Sequence, residues 1–257
     1  MTGTVPERRS ALITGGSSGI GFATAIALNR EGFDVTIVGR RADVLDTAAR
    51  DIAAQGSGPA VATCAADMSE PDATTRVVEE HVARFGGIDA LVAGAGAYEL
   101  VDVLSLTADT WNATLDVHVR GAVLVASAAA RQMSSAGRGR IVLLSSVNGF
   151  HSEPQSIAYS AAKAAIISVA RSLAVDLAGS GVCANAVAPG WVTTPMTADY
   201  LAQTSPEQLR RVNPLGRAGT AEEIANVIRY LIVDAPDFLT GATITVDGGQ
   251  TAMAPMP

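Results

Sequence analysis

Cysteine is scarce: the chain has two in 257 residues, Cys64 and Cys183, far apart and without a Cys-x-x-Cys neighbour. This excludes a thiolate zinc site and points to a reducing compartment. Histidine is nearly as rare, and His81, His118 and His151 are too dispersed to form a metal site. A basic cluster is also missing. The 18 Lys and Arg are scattered among 25 Asp and Glu, for a net charge of −7, so neither nucleic acid nor an anionic membrane is expected as a partner. The opening "MTGTVPERRS" lacks the apolar run of a signal peptide, and no later run approaches a membrane span. There is no internal repeat and no low-complexity segment. These absences predict a soluble, cytoplasmic protein. At 48% hydrophobic and 257 residues, it can bury a full core within a single domain, residues 1–257.

Short β-branched runs alternate with longer helical patterns. Strands are expected at "ALIT" (11–14), "DVTIVG" (34–39), "AVATCA" (60–65), "IDALVA" (88–93), "RIVLLS" (140–145), "VCANAVA" (182–188) and "TITV" (243–246). Most are continuous apolar runs, as in strands covered on both faces. Helices are expected near 20–31, 43–55, 71–85, 107–133, 156–179 and 220–233. This alternation predicts an α/β fold: a Rossmann-like, doubly wound, mostly parallel seven-stranded sheet with helices on both faces. Only 191–219, with Pro195, Pro206 and Pro214, breaks the rhythm and reads as a lid over the sheet's edge.

After the first strand comes "GGSSGIGFATAIALNREG". Gly15, Gly19 and Gly21 stand where strand turns into helix, allowing a tight turn and close backbone approach to a pyrophosphate at the helix N-terminus. The spacing is G-x-x-x-G-x-G rather than G-x-G-x-x-G, and a glycine cluster alone also fits an ordinary βα turn. The strand before it, the helix after it and its first place in the sheet favour the phosphate. The second strand ends in "IVGRR", with no Asp or Glu for the ribose hydroxyls. Arg40 and Arg41 there favour a 2′-phosphate, hence NADP(H) over NAD(H), unless they are a solvated helix start.

Stepping by fours and threes along the helix near 156–178 gives Tyr159, Lys163, Ile166, Ala170, Leu173 and Leu177, a stripe that is apolar beyond its first two members. Tyr159 and Lys163 therefore share a packing face. An unpaired buried ammonium costs several kcal/mol, so Lys163 needs a partner or a polar cavity unless it snorkels. At about 4 Å and an effective dielectric near 20, attraction between ammonium and phenolate is ~4 kcal/mol. That could lower a phenol by up to about three pKa units before desolvation opposes it. Tyr159 is thus a candidate general acid/base. Ser146, at a strand C-terminus where open α/β sheets build their sites, could bond the same substrate oxygen, although serines are also common in turns.

With these residues in place, the chain resembles the short-chain dehydrogenases/reductases from about Ser10 to Gly249. The resemblance rests on "TGGSSGIG" (14–21), Asp67 after the third strand, Ser146 thirteen residues before Tyr159, "YSAAK" (159–163), "NAVAPGWVTT" (185–194) and "VDGG" (246–249). It implies Ser146 as the group positioning substrate oxygen, Tyr159 as acid/base, and Lys163 as ribose ligand and modulator of the tyrosine. It further implies a nicotinamide cofactor held by Gly15, Ser17, Ser18, Gly19, Ile20, Gly21, Arg40, Asp67, Met68, Gly94, Tyr159, Lys163, Pro189, Gly190, Val192 and Thr194. Homotetramers, or dimers, would pack through the helices near 107–133 and 156–179. Ala161, Ala165, Ser168 and Ser172 are the small residues on the second helix's outer face.

Two features depart from the family pattern. "AGAG" (93–96) stands where N-N-A-G is usual, which removes side-chain hydrogen bonds that steady the central strands. In "WNATLDVHVRG", His118 stands in place of an asparagine that holds a water leading to the lysine. Either His118 replaces it in the relay, since imidazole both donates and accepts, or it is simply packed in its helix. His81, in the acidic "VVEEHVARFG", reads as a surface residue. Asn148, His151, Gln155, Trp191 and Met196 are candidate substrate contacts. Trp191 and Met196, with Tyr200 and Leu201, suggest a largely apolar, ring-shaped ligand. Arg210 and Arg211 could meet a carboxylate or form a solvated helix face. The expected activity is hydride transfer between NADP(H) and a small-molecule ketone or secondary alcohol, with no metal. The alternative is a nucleotide sensor that has kept the fold and lost turnover.

Overall fold

A computed structural model describes residues 8–56 and 58–253. Most of the stretch read as lacking a leader, "MTGTVPERRS", lies outside the described residues. The elements in chain order are β1 (Ser10–Thr14), α1 (Gly19–Arg30), β2 (Asp34–Gly39), α2 (Ala42–Gly56), β3 (Val61–Ala65), α3 (Pro71–Phe85), β4 (Ala90–Ala93), α4 (Ala108–Leu115), α5 (Ala122–Ala136), β5 (Gly139–Leu144), α6 (Ile157–Asp176) and β6 (Val182–Pro189). They continue with β7 (Val192–Thr193), α7 (Ala198–Ala202), α8 (Pro206–Val212), β8 (Gly219–Thr220), α9 (Ala221–Val233) and β9 (Thr243–Val246).

The seven expected strands form one parallel sheet in the order β3-β2-β1-β4-β5-β6-β9. Alternate residues face opposite layers. Leu12 joins a core shared with α3, α5 and α6, while Ala11 and Ile13 join one shared with α1, α2 and α9. Burial on both faces explains the unbroken apolar runs: all five residues of β1 and all eight of β6 are buried. The strand order reverses between β1 and β4, and such a switch point opens a crevice at the strands' carboxyl ends.

The long helix near 107–133 is broken by a π turn at Asp116–Gly121, which separates α4 from α5. Contrary to the sequence reading, two helical stretches, Ala108–Ala136 and Ile157–Asp176, are long and apolar enough to span a bilayer by length and composition. Each packs one face on the sheet, with Val125, Ala129, Ile166 and Ala170 in the core, so their apolar character serves that packing. Within 191–219, β7 and β8 pair and hold the ends of the excursion together, with α7 and α8 between them.

Candidate active site

The turn after β1 enters the crevice. The Gly15 and Gly16 N–H groups both donate to Val38 O, at 2.9 and 3.2 Å. Gly15 has φ 73°, and a Cβ there would lie 2.8 Å from Gly94 O. A Cβ on Gly21 would fall 2.3 Å from Gly15 O, so helix and turn meet backbone to backbone. No side chain caps the N-terminus of α1 and no acidic residue occupies its first turn, which leaves its N–H groups for an anion. This glycine-built cradle fits a dinucleotide.

Other predicted cofactor contacts converge on the same ends. Ser17 meets Gly39 at the end of β2, and Gly19 meets Thr194 from the lid. Pro189 and Gly190 close β6, where Gly190 N donates to Val246 O at 3.0 Å, and Val192 is buried behind them. Arg40 is exposed and acts electrostatically on Asp67. Ser69 donates to Asp67 through its N–H at 2.9 Å and its hydroxyl at 2.8 Å. The backbone bond is the main reason the carboxyl sits below its ordinary range. Ser18 is exposed at the helix start. Met68 is buried in the core shared with α3, α5 and α6, and Ile20 is partly buried against the one shared with α1, α2 and α9.

The altered "AGAG" leaves the central strands tied. Thr14 Oγ1 accepts from Gly94 N at 3.1 Å and from Ala95 N at 3.2 Å, so a threonine hydroxyl of β1 bonds across to the end of β4.

Strand β5 ends at Leu144, one residue before the expected Ser145, because Ser145 turns away to bond α6. Its hydroxyl donates to Lys163 O at 2.8 Å, and Lys163 Nζ donates to Leu144 O at 2.8 Å. This lacing sets the next residue, Ser146, beside Tyr159 on the same cleft, near enough for its hydroxyl to favour the phenolate. Lys163 is buried, with Nζ 5.4 Å from the Tyr159 ring centroid. The expected triad is therefore assembled, but its electrostatics differ from the sequence reading. Burial pushes Tyr159 up to about 12, opposed by the Ser146 hydroxyl and assisted by Glu153. Burial also pushes Lys163 down to about 7. Desolvation dominates, and Lys163 is not among the groups that shift the phenol.

His118 is buried, edge-on to Tyr159 with ring centroids 5.4 Å apart. Its Nε2 lies 2.7 Å from Ala97 O, and its Nδ1 is buried without a hydrogen-bond partner among the described residues. A Cβ on Gly96 would sit 2.2 Å from the ring, so this glycine makes room for the imidazole. Burial, and secondarily Lys163, push His118 down to about 3; it is neutral at physiological pH. His81, read as a surface residue, is in fact buried. Its ring nitrogens bond Thr36 Oγ1 at 2.7 Å and Ser10 Oγ at 3.0 Å, joining α3 to β1 and β2. Alternating charges on the exposed face of α3 concealed this inward position.

A cleft of about 360 Å³, including its open mouth, lies beside the triad. Asn148, Trp191 and Met196 line it as expected, together with Tyr98, Glu153 and Thr197, which the sequence reading missed. Trp191 stacks on Tyr200 at 4.3 Å, and Tyr98 stands edge-on to Tyr159 at 4.8 Å. His151 and Gln155 are exposed outside the lining; His151 instead approaches Gln250 at 3.4 Å. Arg211 pairs with Glu207 at 3.0 Å on an exposed helix face, and neither Arg210 nor Arg211 lines the cleft. Among the described residues, no group of three or more His, Cys, Asp or Glu could hold a metal ion.

A parallel switch-point sheet with a glycine cradle and a Ser-Tyr-Lys cluster defines a nicotinamide-dependent oxidoreductase. The family described as enoyl-(acyl carrier protein) reductase matches residues 15–251. The chain is 38% identical over 246 residues to cis-4-hydroxycyclohexanecarboxylate dehydrogenase of Sinomonas cyclohexanicum, covering 95% of this chain and 97% of that protein. It is 35% identical over 243 residues to a 3-oxoacyl-(acyl-carrier-protein) reductase of Thermotoga maritima, covering 95% and 98%. The crystal structure of levodione reductase superposes with a TM-score of 0.90 at 31% identity, covering 96% and 98%. The chain belongs to the short-chain dehydrogenase/reductase family.

Proposed function

We propose that this protein interconverts a ketone and a secondary alcohol, with NADP(H) as the preferred cofactor. The observation that carries the reading is that Ser146 and Tyr159 line one cleft, with the buried Lys163 ammonium 5.4 Å from the Tyr159 ring. Gly15, Ser17, Gly19, Gly21, Asp67, Gly94, Pro189, Gly190 and Thr194 would hold the dinucleotide, with Arg40 at its 2′-phosphate. Bound there, the nicotinamide supplies hydride in reduction and accepts it in oxidation.

The two hydroxyls of Ser146 and Tyr159 would share the substrate oxygen. In reduction Tyr159 gives its proton to that oxygen, and in oxidation it takes the proton back. Lys163, held near neutrality by burial, is suited to exchange protons at physiological pH and to stabilise the phenolate by its charge. His118 is proposed as an acceptor on the path from Lys163. Its Nδ1 has no hydrogen-bond partner among the described residues, and the Lys163 charge acts on the imidazole; both support this role.

We further read the chain as one catalytic domain with 191–219 as its lid, acting in the cytoplasm as a homotetramer or dimer through α4, α5 and α6. The decisive experiment follows absorbance at 340 nm with a panel of ketones and alcohols and both cofactors. Ketone-dependent oxidation of NADPH, faster than that of NADH, is expected. No turnover across the panel would sink the proposal and favour a nucleotide sensor.

A further inference from the structure

Glu153 is the one charged side chain among those lining the cleft. It is half-buried, and its Oε2 accepts from the Tyr98 hydroxyl at 2.9 Å and from Asn148 Nδ2 at 3.4 Å. Among the described residues, no basic side chain forms an ion pair with it. Burial, then the carboxylate, push the Tyr98 phenol up, so Tyr98 acts as a hydrogen-bond donor to Glu153. The same Tyr98 ring packs on Tyr159. A negative charge that needs donors is therefore held within one aromatic contact of the reacting oxygen.

The lining also holds Trp191, which stacks on Tyr200 behind it and meets the Tyr98 ring edge-on at 6.5 Å, and Met196. Aromatic and apolar lining suits a ring, and a carboxylate in the same lining suits a hydroxyl on that ring. With no arginine or lysine in the lining, a substrate carboxylate would face like charge in a partly desolvated cleft.

We propose that Glu153 is a specificity-determining residue that selects an uncharged carbocyclic alcohol or ketone bearing a second hydroxyl and rejects ring substrates bearing an anion. This rests on the alcohol–ketone reading above. It separates the chain from its Sinomonas cyclohexanicum relative, which is named for a carboxylate-bearing ring.

The test measures kcat/KM for cyclohexanol, the 1,2-, 1,3- and 1,4-cyclohexanediols and 4-hydroxycyclohexanecarboxylate, in wild type, Glu153→Gln and Glu153→Ala. Wild type is expected to prefer at least one diol over cyclohexanol and to use the carboxylate at least tenfold less well than cyclohexanol. In both variants the carboxylate-to-cyclohexanol ratio should rise at least tenfold and the diol preference should shrink. Because each quantity is a ratio within one protein, partial loss of folded enzyme leaves it intact. Should one variant fail to fold, the other gives the same readout. Wild-type turnover of cyclohexanol with ratios unchanged in the variants overturns the role of Glu153 alone. Absence of wild-type turnover on every ring overturns the carbocyclic preference, and the alcohol–ketone reading falls only if the wider panel of ketones and alcohols fails too.

Discussion

Lys163 Nζ donates to Leu144 O at 2.8 Å while standing 5.4 Å from the centre of the Tyr159 ring. The ammonium is thus anchored to the end of β5, and the phenol lies over it. Strand end, cation and acid/base are one mechanical unit, and Ser146 follows in the chain two residues after its anchor. Four predictions follow from this arrangement and its surroundings.

Removing only the phenolic oxygen leaves the packing and the glycine cradle in place. For Tyr159→Phe, turnover is expected to fall about 100-fold or more, the usual scale for a lost proton-transfer group. NADPH binding, followed by fluorescence titration, should persist. Unchanged turnover in the variant would remove Tyr159 from the chemistry.

Lys163 has a folded-state value of about 7 against 10.5 when free. Between those values the unfolded chain binds more protons than the native one. Its contribution therefore favours folding increasingly as pH rises from 7 to 10.5, and is lost as pH falls through 7. The stability difference between wild type and Lys163→Met, from urea unfolding, should grow with pH across that window by at most ~1.4 kcal/mol per pH unit. A flat difference would show that the amine is not held in a desolvated site.

His118 is depressed from 6.5 to about 3, so its stabilising contribution is present above 6.5 and disappears as pH falls through 3. Relative to His118→Asn, wild type should lose stability steeply on acidification. If the imidazole also accepts on the path from Lys163, the variant's pH–rate profile should shift and its rate should fall about tenfold, the effect of roughly one hydrogen bond. Superimposable profiles would leave His118 only its contacts with the Ala97 backbone.

Arg40 tests cofactor choice. A charge-assisted hydrogen bond to phosphate contributes about 1.5–3 kcal/mol. Arg40→Ala should therefore raise the KM for NADPH by roughly 10- to 100-fold and leave that for NADH within about twofold. Equal effects on both cofactors would argue against a 2′-phosphate contact.

The sheet was legible because its strands are buried on both faces. Continuous runs such as "ALIT" and "VCANAVA" leave little ambiguity once helices separate them. Tyr159 and Lys163 were legible because a lysine on a buried stripe conflicts with burial, and such conflicts mark sites. Tyr98 and Glu153 were not, because they come from two irregular loops 55 residues apart that carry no periodicity. The direction of the Tyr159 shift was misjudged for a related reason. Spacing gives the separation between charges and says nothing about how completely the site excludes water. His81 was misplaced because its partners, Ser10 and Thr36, are distant in sequence.

The loop carrying Glu153 is joined to the one carrying Tyr98 by backbone. Val101 N donates to Gln155 O at 2.7 Å, Val101 bridges Ser156, and Gln155 takes φ 63° at this junction. These two segments are therefore held together as one structural unit. Transplanting either one alone from a relative would break the seam between them, whereas a graft that carries 97–102 and 148–156 together would bring a new substrate preference with its own support intact.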